Sequence, residues 1–335
     1  MKKQQIALTL LGTFSILTLC WLTAHSQAAK TVQVHMVITD AAFRTEKSLP
    51  ALNAENVKVR QGKNFLSVAQ VIPAQGEAAN LQLMILIDDT LNTSAVGNNL
   101  TDLKGFIDAQ PPTTVIGVAY MSNAIANVAQ NFTANHALAS KAVRLPRGTT
   151  STMDSPYLSL ISLVKAWPQQ NVRREVLMIT DGIDRLRGQT PGPDRLGPRF
   201  GGIGPVYHTL PTISIDATSA SEISQRYNVI VHSIYSPGIG GPERGSWTAQ
   251  MGLSGLSKLA EETGGETFSL STSNPVSFKP YLETLQKLFG NQYFLVFRAV
   301  PKKKGELQSV KVEAQPKTKI LAPDNVWVPG IGESE

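Results

Sequence analysis

Leu81-Gln82-Leu83-Met84-Ile85-Leu86-Ile87 runs without interruption into Asp88-Asp89-Thr90-Leu91-Asn92-Thr93-Ser94, and this passage decides the fold. An apolar run of this length, bounded by polar residues, reads as a strand buried on both faces. Val176-Leu177-Met178-Ile179-Thr180 repeats the pattern and stops at Asp181-Gly182. Between them lies a hydroxyl-rich stretch, Gly148-Thr149-Thr150-Ser151-Thr152. Two strands and one loop thus deliver carboxylate, hydroxyl and amide oxygens toward a single sheet edge, the donor chemistry of a hard cation.

Working outward, strand-like runs at 82–87, 115–120, 176–180, 229–236 and 266–270 alternate with helix-like stretches at 98–109, 155–167, 218–227, 248–263 and 276–289. Such β-α alternation predicts an α/β fold with a doubly wound, mostly parallel sheet, helices on both faces, and ligands at the carboxyl ends of the strands. Both flanks read differently. Val32 to Ile38, Val57 to Arg60 and Phe65 to Val68 alternate with period two, as do Tyr293 to Arg298, Val310 to Glu313 and Val326 to Val328. Neither flank can bury a sheet alone, so a small β-sandwich built from both chain ends is expected. The resulting boundaries are 29–75 and 291–335 for the β module and 81–290 for the α/β domain.

The first 28 residues read as a secretory signal. Lys2-Lys3 precede an apolar segment from Ile6 to Leu22, and Ser26-Gln27-Ala28 offers small residues for cleavage after Ala28. Retention of the segment as a membrane anchor is the competing reading. The single cysteine, Cys20, falls inside it, so the mature chain is expected to hold no disulfide and no thiolate metal site. The localisation implied is secreted or periplasmic, with envelope association allowed. The formal charge of +6 includes Lys2 and Lys3. A remaining surplus of about +4, with no dense basic helix, argues against a nucleic-acid partner.

Asp88, Thr90 and Asn92 sit at alternate positions beyond a strand, so an extended loop points them to one side. Thr150 and Asp181 complete a candidate metal set of Asp88, Thr90, Asn92, Thr150 and Asp181, suited to Mg²⁺, with Ca²⁺ or Mn²⁺ as substitutes. In a second register Asp89 leads, followed by Leu91 and Thr93. An empty site whose loops serve only the fold is the other reading, with Asp154 capping the helix near Ser155. The five histidines show no paired spacing, and Gly252-Leu253-Ser254-Gly255 lacks the spacing of a nucleophile elbow. No catalytic residue is assigned, and the chain is expected not to be an enzyme. Lys302-Lys303-Lys304-Gly305 reads as a hairpin turn. From Asp184 to Ser214 a Gly- and Pro-rich stretch carries Arg185, Arg187, Arg195 and Arg199, as either a binding rim or a disordered insertion.

The motifs Asp88-Asp89-Thr90-Leu91-Asn92, Gly148-Thr149-Thr150-Ser151-Thr152-Met153-Asp154 and Thr180-Asp181-Gly182 resemble, in order and spacing, the metal-ion-dependent adhesion site of von Willebrand factor type A (VWA) domains. The flanks Val37-Ile38-Thr39-Asp40, Leu52 to Val59 and Gln292 to Phe297 look like the secreted VWA-related proteins abundant in acidobacteria. The resemblance implies a protein-binding role, in which a divalent cation bridges the site to an Asp or Glu of a protein partner. It departs from the family pattern at Asn92, where a second serine is usual. A metal-independent envelope scaffold and a metal-dependent hydrolase are the alternatives.

Overall fold

The computed structural model describes residues 31–44, 50–168, 170, 172–186, 214–238 and 245–333. The signal-like segment with Cys20, and Arg187, Arg195 and Arg199, lie outside the described residues.

In chain order the elements begin with β1 (Val32–Asp40), β2 (Val57–Gln61), β3 (Asn64–Leu66), β4 (Val68–Pro73) and β5 (Leu81–Asp88). There follow α1 (Thr93–Gly97), α2 (Leu100–Asp108), β6 (Thr114–Ser122), β7 (Ile125–Thr133), α3 (His136–Ala142), α4 (Pro156–Ala166) and β8 (Arg173–Thr180). Next come α5 (Ile215–Arg226), β9 (Val229–Tyr235), α6 (Gly245–Glu262), β10 (Thr267–Phe268) and α7 (Lys279–Gly290). The chain closes with β11 (Gln292–Ala299), β12 (Glu306–Ser309), β13 (Lys311–Ala314), β14 (Ile320–Leu321) and β15 (Asn325–Val328).

The central sheet runs β10-β9-β8-β5-β6-β7, parallel except for β7 at the edge. Numbered within the sheet, this is the 3-2-1-4-5-6 order of doubly wound folds, whose switch point lies between β5 and β8. Its central strands are mostly apolar because both faces are covered, although β8 opens with the buried Arg173, Arg174 and Glu175. Leu83, Ile85 and Ile87 pack toward Leu103, Ile107, Leu285 and Phe289, while Met84 and Leu86 pack toward Tyr157, Leu160, Val164 and Leu256. Fully burying each such side chain contributes about 1.5–3 kcal/mol, so a one-residue slip of β5 is strongly disfavoured.

Several elements escape the sequence pattern, β7 and α3 among them. β7 was not expected, and it joins β6 through the two-residue turn Asn123-Ala124, with both residues in the left-handed region at φ 51° and 59°. That geometry suits a tight hairpin, but Ala124 lacks the glycine that would announce one. α3 is short and carries Asn135 as its cap.

Strands from both chain ends pair. β1 lies antiparallel to β11 along eight residue pairs, and β4 flanks β11 on the other side. β13 from the C-terminal end pairs with β2, while β12 pairs with β15. Val34, Met36, Ile38, Val57, Val59, Leu295 and Phe297 form a shared apolar core. The Lys302 to Gly305 segment is not a hairpin turn. The strands before and after it belong to different sheets, so it carries the chain across from one to the other.

Candidate functional site

The carboxyl ends of β5 and β8 converge at the switch point, and two carboxylates follow them. Asp88 is 3% exposed: its Oδ1 accepts from the Thr90 amide at 2.9 Å and its Oδ2 from the Thr180 hydroxyl at 2.7 Å. Asp181 is 1% exposed, and its Oδ1 accepts from the Ile183 amide at 2.9 Å. Its Oδ2 accepts from Arg185 Nη2 at 2.6 Å. Burial raises the Asp88 pKa to about 6, and the charge of Asp181 pushes the same way. Arg185 and the two hydrogen bonds oppose that shift without cancelling it.

Asp89 turns to other partners. Arg144 grips it in a bidentate pair at 2.7 and 2.9 Å, and the Arg147 amide donates to Asp89 Oδ1 at 3.2 Å. The Arg144 guanidinium also lies 3.7 Å from the ring centroid of Tyr120. Asp88 therefore shares its surroundings with Asp181, and Asp89 does not. This separates the two registers left open by the sequence.

Asn92 caps α1, its side-chain oxygen accepting from the amides of Ser94 and Ala95 at 3.0 and 3.2 Å. Thr150 is exposed on the loop that the Gly148 amide anchors to the Asp89 carbonyl at 2.9 Å. Ser155 caps α4, in place of Asp154. Asp154 instead ties loops together: Oδ1 accepts from the Asn123 amide at 2.8 Å and Oδ2 from the Ser151 amide at 2.5 Å. Its carbonyl accepts from the amides of Arg185 and Leu186.

As arranged, these donors do not fit a divalent ion. Both Asp88 oxygens and both Asp181 oxygens accept hydrogen bonds within the chain, and the Asn92 oxygen serves a helix. The Thr90 hydroxyl oxygen alone in the set is buried without a hydrogen-bond partner. Among the described residues no three His, Cys, Asp or Glu side chains stand close enough to share an ion.

Arg185 is the residue that sequence reasoning passed over, having grouped it with the loop arginines. The signal available was its spacing of four from Asp181. His232 is also engaged in the core. It is buried with Nε2 2.9 Å from Glu175 Oε2, and its Nδ1 accepts from the Glu266 amide at 3.1 Å. Gly252 lies in α6 and packs on the Asp181 carbonyl, where a Cβ would stand 2.2 Å away, so this stretch is a close-packing device.

No protein-family model matches the sequence, and no curated protein matches it either. Solved structures do show similarity. An aerotolerance-related membrane protein from Bacteroides fragilis superposes with a TM-score of 0.39 at 13% identity, over 63% of this chain and 98% of that one. The SpRpn10 VWA domain gives 0.36 at 12% identity, over 63% and 97%. The human COPII-coat protein Sec24c gives 0.41 at 10% identity, over 76% and 44%. Likenesses at this level say nothing of activity or partners. Among the described residues no helix is long and apolar enough to cross a membrane.

Proposed function

We propose that this chain, whose central domain is VWA-like in strand order and in the placement of its three motif loops, is an exported, non-enzymatic protein-binding module of the cell envelope or the extracellular space. Its binding surface is the rim at the carboxyl ends of the central strands.

One observation carries the reading. The rim's carboxylates are committed to internal arginines, hydroxyls and amides, while Leu145, Met153 and Arg147 remain 49%, 52% and 71% exposed beside them. Exposed aliphatic side chains next to a guanidinium that is 71% exposed and held only loosely, its Nε 3.7 Å from Asp89 Oδ2, suit a protein surface that presents an Asp or Glu beside apolar residues. In this reading Arg147 meets the partner carboxylate directly. Recognition through a bridging Mg²⁺ is the second reading, favoured by the unpartnered hydroxyl of Thr90.

A photo-crosslinker placed at Met153 and exposed to envelope extract of the source organism tests both. Capture of a defined protein, lost in Arg147→Glu and indifferent to EDTA, is the expected result. Capture abolished by EDTA would favour the bridging cation. Equal capture from a probe at Ile72, on β4 of the other module, would overturn the rim as the binding surface.

A further inference from the structure

Beneath the rim, the chain supplies its own cation. The Arg185 side chain is 7% exposed, and its Nη2 donates to Asp181 Oδ2 at 2.6 Å. Nη1 reaches the Ile183 carbonyl at 3.3 Å, and Nε is buried with no hydrogen-bond partner. The field of Arg185 also reaches Asp88, where it works against the repulsion from Asp181.

The surrounding backbone is shaped to this pair. A Cβ at Gly238 would stand 2.2 Å from Asp181 Oδ2 and 3.0 Å from Arg185 Nη2, so a side chain there would displace the pair that the loop after β9 now covers. The carbonyl of the preceding Pro237 accepts from the Asn92 amide at 3.2 Å, and Leu91 bridges to Gly238, tying the cover to the first motif loop. On the other side Gly252 presses against the Asp181 carbonyl. Arg185 thus pairs directly with Asp181 and acts on the second buried carboxylate, Asp88, through its field, while the Thr90 hydroxyl is left without a partner.

We propose that Arg185 is a resident cation that holds the first and third motif loops together in place of a metal ion, so that the native rim is metal-independent and an oxygen site on Asp88, Thr90 and Asp181 opens only when Arg185 is removed. Two like charges in a dry site need a counterion, and a covalently tethered guanidinium supplies one at every metal concentration. Asp88, Thr90 and Asp181 are hard oxygen donors, and two carboxylates with several retained waters meet the demands of Mg²⁺ or Mn²⁺. The inference concerns the charge balance under the rim and holds whichever partner the rim takes.

The test compares wild type, Arg185→Ala, and the double variant Arg185→Ala with Asp181→Asn, each titrated with Mn²⁺ by calorimetry and melted in EDTA or Mn²⁺. Wild type is expected to give no saturable heat and the same Tm in both media. Arg185→Ala should melt about 10 °C lower in EDTA, regain most of that loss in saturating Mn²⁺, and bind about one ion per chain. The double variant has lost both charges and should fold without responding to Mn²⁺. Saturable one-to-one Mn²⁺ binding by wild type would overturn the proposal, as would an Arg185→Ala protein that melts like wild type and ignores the ion. Should Arg185→Ala not fold in EDTA, refolding only with Mn²⁺ supports the proposal, and failure in both media beside a folded double variant overturns it. No partner enters these measurements, so their failure is distinct from failure of the binding role.

Discussion

The two halves of the rim use the same ion pair in opposite settings. In the front half Arg144, its side chain 40% exposed and stacked on Tyr120, holds an Asp89 that is 4% exposed; in the back half Arg185 holds Asp181 with both side chains under 10% exposed. Water reaches the front pair only through Arg144, and Asp89, itself buried, keeps a second partner in Arg147 if Arg144 turns away. The back pair has no such alternative, because breaking it leaves a bare charge in a dry site. The comparison teaches that an arginine's role here follows from its solvent and not from its partner: one half presents a surface and the other braces it.

Double-mutant cycles measure the contrast directly. Asp181→Asn with Arg185→Met should give a coupling energy of about 3 kcal/mol or more, whereas Asp89→Asn with Arg144→Met should give about 1–2 kcal/mol, since Arg144 is 40% exposed and Arg147 also serves Asp89. Denaturant melts of the six variants and wild type are sufficient, and equal couplings would erase the distinction between brace and surface.

Asp88 sharpens the same contrast through pH. Its folded pKa of about 6 exceeds the ordinary value of 3.8, so the folded state holds the proton more tightly than the unfolded chain. The stability this lends is present in full below about pH 4 and is lost as the pH rises through about 6, a difference of about 2–3 kcal/mol. Asp88→Asn should remove that slope and make the protein more stable than wild type at pH 7. A variant less stable than wild type at both pH 4 and pH 7 would mean that the carboxylate's hydrogen bonds outweigh its charge.

Asp154 links the halves, since its carboxylate serves the front loops and its carbonyl serves Arg185 and Leu186. Asp154→Ala should cost about 1–3 kcal/mol by orphaning two amides, and should raise hydrogen exchange at Asn123 and Ser151 ahead of the back half. The smallest effect is expected at the front edge. Ala124→Gly relieves a left-handed alanine and should stabilise the β6–β7 hairpin by about 0.5–1 kcal/mol, with no change in the back-pair coupling. A destabilised Ala124→Gly protein would show that the turn is held by something other than its backbone preference.

Much of this arrangement was legible in the chain itself. The apolar runs before Asp88 and Asp181 gave away two central strands, and the β-α alternation gave away the doubly wound sheet, because burial on both faces selects apolar side chains along most of each strand. The period-two flanks pointed to a module made by both ends, as the β1–β11 register then displayed. β7 stayed hidden because an edge strand is half exposed, and its Ile125 to Thr133 sequence mixes Asn, Gln and Ala.

By itself, then, the sequence determined the sheet, the strand ends and the acidic residues placed there, since those follow from local period and from where apolar runs stop. Only the tertiary structure decided which oxygen does what. It gave Asn92 to a helix cap, Asp154 to two loops, Asp89 to Arg144 and Asp181 to Arg185. Such choices depend on which group reaches a buried charge first once water has been excluded. The strength of each pairing comes from a dry setting built by residues far away in the chain, among them Gly238 and Gly252.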